Sequence, residues 1–282
     1  MFLLAMVFAA RAQEATPGPP VDDSDKAVTK LTANVGGNLS VGTAESVAIN
    51  GGADFSHKQR RNQLSGVAAA AIGFGAVDTN GDGFLASGER CLGVTACAPT
   101  TQKASIDLRY DRFVTKASSV YVLAGALHDK FGGFDHRVHL QVGFARQVVD
   151  AERTKLKLDI GLDVANEDYV EGVAPRSTRL MAAQVAAELS HTINANVAFS
   201  DTLTVYEPLV TQPDGSPFAP YFTDIRVTNV ATLTAKLSGK LSLNLSDTLA
   251  WRNEPIAAPE GVAETRAPVD NTLTVAFVAS IL

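Results

Sequence analysis

The sequence contains little of what marks several large classes of protein. Two of its 282 residues are cysteine, one is tryptophan, and aromatic residues make up 7%. No apolar run reaches the ~18 residues of a membrane-spanning helix, which excludes a helical membrane protein. Basic residues are not in excess: the formal net charge is −6, so the electrostatic basis for binding nucleic acid is missing.

Motifs of the common hydrolases are also missing. There is no G-x-S-x-G elbow and no H-E-x-x-H zinc pair. Ser190 and His191 come nearest to a nucleophile and its base, but adjacent residues of a strand point to opposite faces. We therefore predict that the protein is not an enzyme. An outer-membrane lipid hydrolase is the alternative within that class.

What the sequence does contain is a two-residue alternation of apolar with polar or small residues. The stretches 155–164, 241–246 and 273–277 show it most clearly. Successive side chains of a strand point to opposite faces, so each stretch forms a strand with one apolar face. Twelve strands are predicted, over 31–42, 45–57, 63–77, 103–114, 118–128, 136–149, 154–165, 179–193, 195–206, 222–237, 240–252 and 271–282.

The connections between these strands alternate in length. Short ones follow the second, fourth, sixth, eighth and tenth strands, and long ones follow the third, seventh, ninth and eleventh. Tight periplasmic turns and longer outside loops are typical of outer-membrane barrels. The predicted fold is therefore all-β: a single antiparallel up-and-down transmembrane β-barrel of about twelve strands, with both termini in the periplasm.

The apolar faces are predicted to point outward, toward lipid. A soluble sandwich shows the same alternation with the apolar face inward, but Gly and Ala are frequent on the polar face here and suit a crowded lumen. The residues predicted to line the lumen are Arg137, His139, Gln141, Lys155, Lys157, Asp159, Asp163, Glu188, Arg226 and Lys236. Their charges either pair and close the path or form a mixed-charge filter, and the pattern leaves both possibilities open.

The first residues have the form of an export signal. Residues 2–10 are apolar, and Ala10-Arg11-Ala12 has the small-x-small form of a cleavage site. We predict a signal peptide over 1–12, a periplasmic linker over 13–30 and the barrel over 31–282; a buried first strand or helix is the alternative reading of the apolar start. Export permits a disulfide between Cys91 and Cys97, with a free-thiol site as the alternative.

The sharpest motif lies within the predicted outside loop 78–102. Residues 78–89 match the twelve-residue calcium loop D-x-[DN]-x-[DN]-G-x5-E in full. The predicted ligands are the side chains of Asp78, Asn80, Asp82 and Glu89 and the carbonyl of Phe84. The resemblance to an EF-hand covers this loop alone. We predict that Ca²⁺ stabilises the loop, and an Asp/Asn/Gly turn without an ion is the alternative.

Several segments resemble a bacterial family of salt-induced outer-membrane proteins that is related to a domain of unknown function. They are residues 110–113, 128–137, 143–144, 154–156 and 167–169, together with 34–40 and the last strand from Asp270. Relative to that pattern, the calcium-type loop is an insertion. The resemblance implies an outer-membrane β-barrel and carries over no reaction.

These observations together predict a protein of the bacterial outer membrane. Its expected function is a narrow, porin-like pore or an envelope-stress barrel with a Ca²⁺-stabilised loop, and the alternative is a structural barrel that does not conduct. The expected partners are outer-membrane lipid, lipopolysaccharide and the barrel-insertion machinery.

Overall fold

Thirteen antiparallel strands make up the fold of the chain as the computed structural model describes it, over residues 27–40, 46–76, 97–213, 216–220, 224–253 and 268–281. The strands are β1 (Val28–Ser40), β2 (Ser46–Gln59), β3 (Asn62–Ala76), β4 (Cys97–Phe113), β5 (Ser118–Asp129), β6 (Phe134–Asp150), β7 (Thr154–Tyr169), β8 (Ser177–Asn194), β9 (Val197–Pro213), β10 (Ala219–Pro220), β11 (Arg226–Lys236), β12 (Leu241–Arg252) and β13 (Val269–Ser280). No helix in the described part is long and apolar enough to cross a membrane.

Twelve of these strands close into a ring. Each pairs antiparallel with its neighbours, β9 pairs with β11, and β13 returns to pair with β1. The two-residue β10 lies against β9 outside this ring. The prediction of a twelve-stranded antiparallel barrel is therefore confirmed, and all twelve predicted strands overlap observed ones.

The direction of the two faces follows from exposure along a single strand. On β6, Leu140 and Val142 are 53% and 51% exposed, whereas Gln141 between them is 2% exposed. β7 repeats this pattern, with Val164 57% and Asp163 1% exposed. Apolar side chains thus cover the outside of the barrel and polar ones fill its inside, which is the reverse of a soluble β-sandwich.

Tight turns join the strands at one end. Arg60 and Arg61 connect β2 to β3, and Arg60 has a positive φ of 51°, the backbone conformation that two-residue hairpin turns require. Between β8 and β9, the side chain of Asn194 accepts hydrogen bonds from the backbone N–H of Asn196 and Val197 at 2.9 and 3.0 Å. The described ends of the chain lie at this same end, since Val28 pairs with Lys58.

Five strand boundaries differ from the predicted ones by three residues or more. β7 continues to Tyr169 instead of ending at residue 165, and β11 begins at Arg226 instead of residue 222. β1 begins at Val28, inside the predicted linker 13–30, and β4 begins at Cys97, inside the predicted loop 78–102. β9 continues to Pro213, although the prediction ended that strand at residue 206. Each extension pairs with a long neighbouring strand, for example Cys97 with Ala76. Pairing of backbone groups thus continues strands where the sequence alternation has stopped.

Candidate functional site

One strand organises the charges inside the barrel. Asp159, Asp163 and Glu167 lie four residues apart on β7, so all three side chains point into the lumen. Their residues are 6%, 1% and 0% exposed. A buried carboxylate is costly unless it is paired and hydrogen-bonded, and each of these three is met by basic side chains.

The cluster nearest the tight turns is built on Asp159. Its Oδ2 lies 2.7 Å from Nη1 of Arg109 and 3.2 Å from Nζ of Lys157. Lys157 also pairs with Oε1 of Glu188 at 3.0 Å, and Arg109 donates to both oxygens of Asp111 at 2.8 and 2.9 Å. Such two-point contact fixes the guanidinium plane. Arg109 is on β4, so its bond to β7 crosses the two strands between them, β5 and β6.

The middle cluster is built on Asp163. Nδ1 of His139 lies 2.8 Å from Oδ1, while Nη2 of Arg137 lies 3.3 Å from Oδ2. The hydroxyl of Tyr206 donates to Oδ2 at 3.1 Å. The other ring nitrogen of His139 lies 3.2 Å from Oδ1 of Asp107. His139 therefore joins two carboxylates of different strands.

Glu167 anchors the cluster nearest the long loops. Its Oε1 lies 2.7 Å from Nη1 of Arg226 and 3.5 Å from Nε of Arg137, and Oε2 accepts a 2.9 Å hydrogen bond from the Tyr169 hydroxyl. Asp224 then bridges two arginines, because its Oδ2 lies 2.6 Å from Nη2 of Arg226 and 2.6 Å from Nη2 of Arg252. The link from β11 to β7 again crosses two intervening strands, β9 and β8.

Three tyrosines belong to this lumen and not to an interfacial girdle. Near predicted strand ends, Tyr121, Tyr169 and Tyr206 fit the aromatic girdles of membrane barrels, but they point inward and are 4%, 7% and 7% exposed. The Arg109 guanidinium lies 3.8 Å from the centre of the Tyr121 ring, and Nε2 of Gln141 donates to the Tyr121 hydroxyl at 2.8 Å. Stacking of the Arg109 guanidinium on its ring explains why Tyr121 points inward. Tyr110, in contrast, is 45% exposed on the outside.

We call the inner surface of β4–β9 and β11 the ion-paired wall. The ion pairs inside the barrel join six basic residues and His139 to eight acidic ones. They are Lys103, Arg109, Arg137, Lys157, Arg226 and Arg252, and Asp107, Asp111, Asp129, Asp159, Asp163, Glu167, Glu188 and Asp224. This inner surface is therefore rich in charge, slightly acidic, and held together by its own pairs.

The inner surface across from it is different, and we call it the amide-lined wall. It belongs to β12, β13, β1, β2 and β3. Most of its residues are small or carry short polar side chains, and they border a cavity of about 30 Å³. They include Asn34, Asn50, Gly51, Asp54, Ala69, Asn244, Ser246, Thr274 and Ala276.

Of the residues predicted to line the lumen, eight lie in the ion-paired wall: Arg137, His139, Gln141, Lys157, Asp159, Asp163, Glu188 and Arg226. Lys155 lies at the tight-turn end of β7, with Nζ 3.7 Å from Oδ1 of Asp150. Lys236 is the exposed last residue of β11. The predicted calcium ligands Asp78, Asn80, Asp82, Phe84 and Glu89, and also Cys91, lie outside the described residues, so Ca²⁺ binding and the Cys91–Cys97 bridge stay predictions.

Sequence reasoning missed several members of the ion-paired wall. Asp107, Arg109 and Asp111 alternate with the exposed Ile106, Leu108 and Tyr110 on β4. That alternation indicates that the three charged side chains face the lumen. Glu167 lies outside the predicted strand 154–165, and Asp224 lies near the start of the predicted strand 222–237. The alternation therefore indicates no face for either residue.

Ser190 and His191 point to opposite faces of β8. They occupy successive positions of β8, and the ring of His191 contacts the neighbouring strand, where its Nδ1 lies 2.9 Å from Oγ1 of Thr154. The same cross-strand pair occurs between Thr29 and His57, also at 2.9 Å.

A closed antiparallel barrel with an apolar exterior and a charged interior is a β-barrel of the outer-membrane type. Solved barrels are similar to it at low identity: the NanC porin (10% identity, 89% of this chain and 100% of that one, TM-score 0.49), the translocator domain of the autotransporter NalP from Neisseria meningitidis (11%, 93% and 91%, 0.41) and an anion-selective porin from Comamonas acidovorans (8%, 91% and 100%, 0.38). The fold itself rests on the strand pairing of this chain. Among curated proteins, none matches the sequence significantly.

The family is given by a direct match over most of the sequence. The family model described as "Protein of unknown function, DUF481" matches residues 33–280, and the chain belongs to that family. The matched region runs from β1 to the last residue of β13 and includes both inner walls. The relation to salt induction stays a prediction.

Proposed function

We propose that this protein is a narrow, water-filled pore of the bacterial outer membrane. The observation that carries the proposal is the division of the lumen. Long charged side chains are held by ion pairs on one wall, and small or short polar side chains occupy the other. A barrel filled by interlocked side chains from all sides would leave no path, whereas this division favours a path beside the amide-lined wall.

Barrel geometry sets the room available. Twelve strands ~4.8 Å apart and tilted by ~40° give a barrel about 12 Å in radius at the Cα atoms. The ion pairs Arg109–Asp159 and Arg226–Glu167 each cross two intervening strands, so long side chains occupy the lumen on this side. Across from them, Gly51, Ala69 and Ala276 project hardly at all. A path for hydrated ions and small solutes fits this geometry better than one for large substrates.

The outer surface supports location in a membrane. Val35, Ile49, Ile160 and Leu273 are between 58% and 60% exposed, and similar apolar residues cover neighbouring strands. Apolar patches of more than a few hundred Å² are rare on soluble monomers. Outer-membrane lipid and lipopolysaccharide are the partners that suit such a surface, and a barrel of this kind reaches its membrane through the insertion machinery. The tight turns and the described chain ends then face the periplasm.

The calcium-type motif and the two cysteines extend the proposal to the loop between β3 and β4. Residues 78–89 carry the full ligand pattern, and Cys97 begins β4 directly after this loop. A long loop with several carboxylates is costly to order, and an ion together with a Cys91–Cys97 bridge would offset that cost. Their role in this proposal is structural, at the outside mouth of the pore.

Conductance of the purified, refolded barrel in a planar lipid bilayer tests the pore. We expect stable unitary currents that Ala276→Trp reduces severalfold, because an indole there fills the space beside the amide-lined wall. Ala124→Trp is the matched control: Ala124 is an exposed position on the outside of β5, between Val122 and Ala126. The control should keep the wild-type current.

A structural barrel that does not conduct is the second candidate, and the ion-paired wall is the observation in its favour. If the path is closed, the folded, heat-modifiable wild type gives no unitary currents in the bilayer. Currents that Ala276→Trp leaves unchanged would point to a contaminating porin and would equally refute the pore.

A further inference from the structure

Three asparagines face the lumen on the amide-lined wall. Asn244, Ala276, Gly36 and Asn50 form one row across β12, β13, β1 and β2, since Asn244 pairs with Ala276, Ala276 with Gly36, and Gly36 with Asn50. Asn34 pairs with Gly52 in the next inward-facing row. The row thus has an amide at each end and two small residues between them.

Two oxygens in this row are buried without a donor. Oδ1 of Asn50 and Oδ1 of Asn244 have no hydrogen-bond partner among the described residues, although both atoms are shielded from solvent. A buried acceptor left unsatisfied costs ~1–3 kcal/mol. Both side chains border the same cavity, together with Asp54, Ser246 and Thr274. A positive charge or a hydrogen-bond donor in that space would relieve the cost.

Glycines make room for the amides. A Cβ at Gly36 would lie 2.9 Å from Oδ1 of Asn50 and 2.8 Å from the Cβ of Ala276. At Gly52 it would lie 3.1 Å from Nδ2 of Asn34. Asn50 and Asn34 therefore lean over the neighbouring strand at positions where any other residue would push them away. The absence of side chains at these two positions is what keeps the oxygens facing the lumen.

The oxygens of this surface favour a cation. The guanidiniums of Arg109 and Arg226 are held by Asp111, Asp159, Glu167 and Asp224 on the ion-paired wall. An anion would meet unsatisfied oxygens here. A divalent ion usually takes six to eight oxygens with several carboxylates, whereas neutral amide oxygens match a single positive charge.

We propose that Asn50 and Asn244 form a binding site for a monovalent alkali cation inside the lumen. The inference rests on the proposed pore, because it places the site on the conducting path and gives that path a cation preference. The two amide oxygens replace part of the hydration shell of the ion. Binding is weak, so the ion also leaves.

Crystals of the refolded barrel grown in RbCl provide a test that does not depend on conduction. We expect an anomalous rubidium peak between Asn50 and Asn244. Asn50→Leu and Asn244→Leu, which keep the volume and remove the oxygen, should abolish the peak. Asn271→Leu, at an exposed position of β13, is the matched control and should keep it. The crystals should contain about 0.5 M RbCl, enough to saturate a weak ion site. Water alone at this position under those conditions would refute the proposed site.

Reversal potentials in a KCl gradient test the consequence for the pore. We expect the wild type and Asn271→Leu to prefer K⁺ over Cl⁻, and we expect the preference to fall about tenfold in the Asn50→Leu, Asn244→Leu double variant, the change that ~1.4 kcal/mol gives. Rubidium bound in a barrel that gives no current would support the site and refute the pore. Currents with unchanged selectivity and no rubidium peak would refute the site and support the pore.

Discussion

Neutralising Glu167 should destabilise the barrel more than almost any other single charge removal. The carboxylate is fully buried, lies 2.7 Å from Nη1 of Arg226 and 3.5 Å from Nε of Arg137, and accepts a hydrogen bond from Tyr169. Glu167→Gln keeps the volume and one acceptor, but leaves two buried guanidiniums with one counter-charge fewer. Removing one partner of a buried pair costs ~3–5 kcal/mol.

The lower end of that range is the better estimate for this position. Arg226 keeps its contact to Asp224, and Arg137 keeps Asp163, so neither is left without a carboxylate. We expect a loss of about 3 kcal/mol in the free energy of unfolding. With an m-value of ~3 kcal/mol/M, the urea midpoint in a reversible refolding system should fall by about 1 M.

The assay is urea unfolding in lipid vesicles followed by tyrosine and tryptophan fluorescence. Glu171→Gln, on an exposed turn after β7, is the control and should change stability by less than ~0.5 kcal/mol. In a double-mutant cycle with Arg226→Met, the two changes should be non-additive by ~1 kcal/mol or more. A loss below ~1 kcal/mol for Glu167→Gln would show that lumen water solvates the arginines, and the ion-paired wall would then not be a rigid element.

Two further predictions concern packing and the outside loop. Gly161→Ala would place a Cβ 2.7 Å from the Tyr121 hydroxyl and 2.6 Å from Nε2 of Gln141; it should cost ~1–3 kcal/mol in urea unfolding, and less when combined with Tyr121→Phe, so an equal cost in both backgrounds would contradict the contact. Calcium should slow proteolysis of the loop that contains residues 78–89, and Glu89→Gln should remove this protection because it deletes the bidentate ligand; equal cleavage of wild type and variant in calcium would count against the motif.

The fold was predictable from the sequence because a lipid-facing barrel repeats one simple pattern. Residues such as Leu158, Ile160 and Leu162 must be apolar at every second position, and they are between 41% and 58% exposed in the structure. The pattern weakens where strands leave the apolar band. That is why the starts of β1 at Val28 and of β4 at Cys97 lay outside the predicted strands.

The candidate site was predictable only in part. Parity along a strand shows that Asp163 and Arg137 face inward, but it does not show which charges meet. Arg109 reaches Asp159 across two intervening strands, and Arg226 reaches Glu167 in the same way. Such pairs depend on barrel closure and strand stagger, which no local pattern contains. The contacts of Tyr121 with Arg109 and of Tyr206 with Arg137 and Arg226 are likewise absent from the alternation of any single strand.

In the proposed pore, the division of the lumen into two walls reconciles stability with an open path. Charges on β7 demand counter-charges, and these come from strands up to three positions away, so ion pairing braces the wall from β4 to β11. Bracing of that kind uses long side chains and fills space. Strands β12, β13, β1 and β2 lack such residues at the facing positions Asn244, Ala276, Gly36 and Asn50. If the braced wall alone maintains the barrel, substitutions of the amides change which ions pass without changing stability, whereas substitutions of Asp159, Asp163 or Glu167 change stability first.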